Sequence, residues 1–205
     1  MVLLIELVVL LMTPALIYHG IITKNLEFVK VFWISGLFMG LLRELAVVSI
    51  GSLYGYGDFT LTILGFPIIY AVLWSNLSYI GWVWSNNYIG VDFLKSKPWD
   101  QHLPLMFATS LMFAFFFETL LSQYHMIHWQ IDSIMTLWGG MPVLAPFAYG
   151  LTSVLFMKSV KWVSLKPQQS WQMITLKLLA VQPFVILVLM GILLIIDLLI
   201  ILVFS

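Results

Sequence analysis

Glu44 and Glu118 are the residues whose setting points most directly to chemistry. Each places a carboxyl group inside an apolar run, Glu44 in GLFMGLLRELAVV beside Arg43 and Glu118 in SLMFAFFFETLL. A further acid follows each of them after 14 residues, Asp58 in the first stretch and Asp132 in the second. A carboxyl group removed from water keeps its proton more readily, and a neighbouring carboxylate strengthens the effect. Arg43 would oppose it by stabilising the charged form of Glu44. One protonated and one ionised carboxyl are the minimum for adding water across a carbon–carbon double bond. The acid gives a proton to carbon, and the base takes one from water. Glu44 and Glu118 are the first candidates for these roles, with Asp58 and Asp132 next.

The matched acids belong to a longer correspondence. Gly36, Gly40 and Glu44 are spaced four apart, as are Ser110, Ala114 and Glu118. Gly65-Phe-Pro67 opens the next apolar segment in one stretch and Gly140-Met-Pro142 in the other. An aromatic residue, Trp74 or Tyr149, follows each proline after seven residues. The offset is 74 up to the aspartates and 75 beyond them, so one inserted residue accounts for the change. This pattern predicts a parallel duplication of a two-helix hairpin, with copies at about 28–85 and 104–158 related by an axis along the membrane normal. Small residues at i and i+4 let helix backbones approach in lipid. Each glutamate is the next member of such a row and is expected to face a helix interface. An intramembrane acid facing a bundle interior is a functional candidate; the alternative is an interhelical hydrogen bond that only holds the bundle.

The elements that must position these groups are transmembrane helices. The chain has 205 residues, 62% hydrophobic and 9% charged, with a mean hydropathy of +1.05. Soluble domains carry roughly 25% charged residues. The expected fold class is all-α, a polytopic bundle forming one integral membrane domain over 1–205. Six segments reach spanning length: about 2–22, 28–50, 61–83, 104–122, 136–158 and 174–204. The last is expected to bend at Pro183 and Gly191, or to form two short helices. The first lacks a basic leader and a small-residue cleavage site and reads as a retained span. Zero formal net charge points to no nucleic-acid partner, and the absence of cysteine excludes disulfides and thiolate chemistry.

By this map the outer connections gather polar and aromatic groups: Tyr54, Tyr56 and Asp58 in one, His125, His128, Trp129 and Asp132 in the other. Spacing of i, i+3, i+7 would align His125, His128 and Asp132 on one helix face as a weak metal half-site. The first copy has no matching histidine, and no metal or other cofactor is expected. Aromatics at this depth also suit an interfacial belt. His19 and His102 read as packing residues. Asp197 reads as a buried hydrogen-bond partner or as a residue near the outer headgroups. No phosphate loop, Ser-His-Asp order, prenyl-diphosphate motif or dinucleotide fingerprint is present.

The run from Arg43 to Trp74, with Glu44, Gly51, Tyr54, Tyr56, Gly65, Pro67 and Trp74, resembles the membrane carotenoid-biosynthesis family that contains the bacterial and archaeal carotenoid hydratases, of the bacterioruberin and gamma-carotene type. Trp129, Trp138, Gly140 and Pro142 resemble that family's later tryptophans and second Gly-x-Pro. After it, MPVLAPFAYG departs from the family's Asn and Gly-Trp. The resemblance spans about residues 45–150. It implies an enzyme that hydrates the terminal double bond of a long isoprenoid polyene without a redox cofactor. Arg43, Tyr54, Tyr56, Trp74, Trp129, Trp138 and Tyr149 would then line the substrate. The expected partners are a lipid-soluble carotenoid and the membrane lipids. Two other classes use the same acids: a small transporter or channel, and a non-catalytic subunit whose acids fix helix packing.

Lysines set the expected orientation. Lys24 and Lys30, Lys95 and Lys97, and Lys158, Lys161 and Lys166 occupy alternate connections, while those around 51–60 and 123–135 contain no Lys or Arg. The lysine-bearing side is expected to be cytoplasmic. Single cysteines at Ser96 and Gln130 should therefore react with an impermeant thiol reagent from opposite sides of sealed vesicles. Reaction of both from one side would break the six-span map.

Overall fold

In the computed structural model, residues 2–50, 54–63, 65–96, 101–130, 136–137, 140–164 and 169–204 are described. About 81% of the described residues are helical. Among the described residues there are six α-helices: α1 (Val2–Thr23), α2 (Leu26–Glu44), α3 (Ile68–Ile89), α4 (His102–Gln123), α5 (Leu144–Ser164) and α6 (Trp171–Phe204). A π-helical stretch, Leu45–Ile50, continues α2, and a short 3-10 turn, Phe93–Lys95, follows α3. Four helices, α1, α2, α4 and α6, are long and apolar enough to cross a membrane. These facts make the chain a helical membrane protein.

The polar residues of α3 explain why it falls outside that set. It carries Ser75, Asn76, Ser78, Ser85, Asn86 and Asn87, and it packs against α1, α2, α4 and α5. A helix screened from lipid on so many sides can carry polar groups that a lipid-facing one cannot. Asn76 donates to Thr13 Oγ1 at 2.9 Å, and Ser110 Oγ donates to the Leu77 carbonyl at 3.4 Å. By contrast, α6 exposes leucine, isoleucine and valine along much of its length and runs unbroken through Pro183. It is one helix, not two.

The all-α expectation fits, and the connections on the Glu44 side add short strands. β1 (Tyr54–Tyr56) pairs antiparallel with β4 (Ile127–Trp129), and β2 (Thr62–Ile63) pairs with β3 (Phe66–Pro67). Two helix starts are corrected for the same reason. The segments expected from 61 and 136 become helical only at Ile68 and Leu144. Gly65 and Gly140 adopt φ of +82° and +74°, and each is followed by a proline that stops a helix from extending backwards. The strand pairing Thr62↔Pro67 has a counterpart in the bridge Thr136↔Pro142.

Two side-chain contacts join positions 75 apart. The rings of Trp74 and Tyr149 stack at 3.8 Å and 9°. Ser78 and Ser153 share a hydrogen bond of 3.0 Å between their hydroxyls. In the β1–β4 pair, the matches Tyr54↔Trp129 and Gly55↔His128 are exchanged by a shift of 74.

The small-residue row on α2 sets how closely α3 approaches. A Cβ on Gly40 would lie 2.6 Å from Ala71 Cα, and one on Gly36 would lie 2.7 Å from Ser75 Oγ. Backbone cannot swing aside, so Gly40→Val should lower stability by about 1–3 kcal/mol, the usual cost of overpacking. Gly191→Ala, which meets nothing within 4 Å, should leave stability unchanged. Thermal unfolding of the detergent-solubilised variants checks both, and equal midpoints would refute the close approach.

Candidate functional site

The end of α2 becomes polar where its helical hydrogen bonding widens from α to π. Local π geometry often occurs at functional positions, and here it follows directly after Arg43 and Glu44. Both side chains are buried, with Arg43 4% and Glu44 0% exposed. Arg43 Nη1 donates to Glu44 Oε1 at 2.6 Å. Glu44 accepts three further hydrogen bonds, from Tyr54 Oη at 2.6 Å, Trp74 Nε1 at 3.0 Å and the Tyr56 hydroxyl. Arg43 also reaches the Tyr54 oxygen at 2.5 Å, and its guanidinium lies 4.4 Å from the Trp74 ring centroid. Few carboxylates are so fully satisfied, and a buried one needs to be.

Glu118 sits differently. It is 2% exposed and accepts from Tyr149 Oη at 2.5 Å, while its Oε2 has no partner among the described residues. Its predecessor on α4 is Phe117 where α2 has Arg43, so it lacks the neighbouring cation. Each glutamate thus accepts from the aromatic of its own following helix, and those two aromatics stack on each other. One continuous path runs Glu44–Trp74–Tyr149–Glu118. Tyr54 and Tyr56, in the strand outside the helices, have hydroxyl pKa values raised chiefly by burial, with Arg43 opposing the rise and Glu44 adding to it. They remain protonated donors to Glu44 across the ordinary pH range.

The other expected site residues are placed as follows. Trp129 packs on Tyr54 at 5.1 Å and donates to Ser122 Oγ at 2.9 Å. Asp58 is exposed and is not among the hydrogen-bond partners of either glutamate. Asp132 and Trp138 lie outside the described residues. The helix face proposed for His125 and His128 is corrected. His125 has φ +54°, His128 lies in β4, both are exposed, and their rings stack at 6.4 Å. The chain leaves the helix at Tyr124, so i, i+3 spacing no longer aligns them. Among the described residues no group of three metal-ligating side chains converges.

Two features escaped the sequence reading. Glu6, buried in α1, accepts from the backbone N–H of Thr60 at 2.9 Å and so ties α1 to the β1–β2 connection. Its lone position in an apolar span was the available signal. The second is a cavity of about 190 Å³ beside the Glu44 cluster, bounded by α2, β1, β4, α5 and α6. Arg43, Tyr54 and Asp197 supply its polar wall, and Val47, Ala145 and Leu193 are among its apolar lining. Neither glutamate is in that wall; Glu44 meets it through Arg43 and Tyr54.

No family model matches the chain, and neither a curated protein nor a solved structure matches it.

Breaking a buried ion pair from one side leaves an uncompensated charge and costs about 3–5 kcal/mol. Arg43→Met should therefore destabilise strongly, while Arg43→Met combined with Glu44→Gln should recover most of the loss. A double-mutant cycle on unfolding free energy measures this. Additive losses would show that the pair is not coupled as its geometry requires.

Proposed function

We propose that the chain is a membrane enzyme of isoprenoid metabolism that adds water to a terminal double bond of a long polyene. The observation that carries this reading is the pair of buried glutamates in unlike settings. Glu44 accepts from Arg43 and three other donors, while Glu118 accepts from one donor and Arg43 acts on it only through space. In this reading Glu118, which is outside the cavity wall, supplies through the Tyr149 hydroxyl bonded to it the proton that goes to the less substituted alkene carbon, leaving a tertiary carbocation. Water bonds to that cation and releases a proton through Tyr54 to Glu44. The product is a tertiary alcohol, and no electrons change hands. Resemblance to the carotenoid hydratases over Arg43–Trp74 supports the same chemistry.

The bundle in this proposal has six spans, and α2–α3 and α4–α5 are copies about a pseudo-twofold axis. The contacts across positions 74–75 apart support it, because a residue on a twofold axis meets its own equivalent. The Trp74–Tyr149 stack and the Ser78–Ser153 bond fill the region where the axis would run. A filled axis favours an enzyme with a lateral, lipid-side cavity over a channel along the axis. Six spans place the lysine-bearing connections in the cytoplasm and the Glu44 cluster toward the outer face.

Expression beside a lycopene-producing pathway, with pigment extraction, tests the activity. Glu44→Gln and Glu118→Gln preserve size and most hydrogen bonding but remove the acid–base function. Each should stay membrane-inserted and lower turnover by roughly 100-fold or more, the scale for losing a positioned acid or base. Full yield of hydroxylated carotenoid from both variants would refute the assignment.

A further inference from the structure

The 190 Å³ cavity has a counterpart on the other side of the bundle, and comparing the two shows what the first is shaped for. The counterpart is a crevice of about 10 Å³ between α1, α3 and α4. Shifted by 74, Arg43 and Val47 of the cavity become Phe117 and Leu121 of the crevice. Shifted by 75, Leu144, Ala145 and Ala148 correspond to Ile69, Tyr70 and Leu73. The two spaces are therefore lined by equivalent positions, and they differ in side-chain volume. Tyr70 and Leu73 fill the crevice where Ala145 and Ala148 leave the cavity open.

We infer that the open cavity is the binding site for the reacting end of a long, linear hydrocarbon chain, and that Ala145 and Ala148 set its bore. This inference rests on the reading of the protein as an enzyme acting on a polyene. An apolar cavity of about 150 Å³ takes a benzene-sized group, so a space of 190 Å³ takes the end of a chain and not its full length. The rest must lie in lipid. Leu194 lines the cavity and is itself 60% exposed on α6, so the opening faces the surrounding bilayer. The inner wall suits the chemistry at such an end. Tyr54 offers a hydroxyl already bonded to Glu44, and half-buried Asp197 is a carboxylate able to hold water against the chain.

The test uses the full chain in lipid nanodiscs with a linear C30 isoprenoid hydrocarbon bearing a terminal diazirine. Irradiation should attach the probe to the segments 142–148 and 190–197. Ala148→Leu, which copies the closed crevice, and Leu193→Trp, which fills the space from α6, should each reduce labelling at least about fivefold. Hydroxylated product should fall in parallel in cells. Labelling confined to the α1–α3–α4 crevice, or unchanged by both variants, overturns the inference. Product formation that survives both substitutions also overturns it, while leaving the hydratase reading intact. Labelling at 142–148 and 190–197 that is lost in both variants, with no hydroxylated product from the unaltered chain, upholds the binding site and refutes the reaction instead. Size-exclusion profiles and labelling of the unaltered chain separate a misfolded variant from a blocked cavity.

Discussion

The Arg43–Glu44 pair is the constraint around which one end of this bundle is arranged. Two adjacent charges 4% and 0% exposed cannot be tolerated in a low-dielectric interior unless nearly every polar atom is matched. Four donors converge on Glu44, and they come from three places in the chain: the end of α2, both tyrosines of β1, and Trp74 in the second turn of α3. Satisfying the carboxylate thus determines where β1 lies and how α3 is rotated. β1 in turn holds β4, and β4 brings Trp129 against Tyr54. A requirement set by two residues is transmitted through hydrogen bonds to two connections.

The contrast with Glu118 gives that arrangement its chemical interest. Equivalent placement on α4, with Phe117 in place of the arginine and one tyrosine in place of four donors, produces a carboxyl group with spare capacity. An interhelical fastener would be expected to use both of its oxygens, as Glu44 does. Leaving one unpaired among the described residues has a cost that packing alone does not explain. The stacked Trp74 and Tyr149 keep the two carboxyl groups apart while linking them.

Much of this was legible in the residues because charge is so scarce in the chain. Against 9% charged residues, two acids in register with small residues and a Gly-x-Pro stand out, and both glutamates are indeed buried. The membrane class followed from composition for the same reason. What could not be read was conformation in the connections. His125 and His128 have helical spacing, but periodicity across two residues cannot reveal that the chain turns at Tyr124 and enters a strand. Pro67 and Pro142 were visible as markers, yet the apolar residues before them look like span until pairing with Thr62 and Thr136 is known. The cavity beside Asp197 and the partner of Glu6 were equally hidden, because a lone acid in an apolar helix does not say which face it occupies.

Small residues have two separate uses in this fold, and the difference decides where a ligand can go. On α2, Gly36 and Gly40 are consumed by contact: α3 presses so closely that a single added carbon would strike Ser75 or the Ala71 backbone. On α5, Ala145 and Ala148 face a neighbour, α6, that does not close on them. The reason lies in the partner helix. Opposite them α6 presents Met190, Leu193 and Leu194, whose branched or long side chains hold its backbone away, and it is bound to α2 lower down by Gln182 donating to the Ser35 carbonyl at 2.8 Å. A helix anchored at one level and held off by bulky side chains at another must leave a gap between them. The gap falls beside Arg43 and Tyr54, where the polar cluster reaches the lipid-facing layer, so the same packing that opens the space also determines which chemistry it meets.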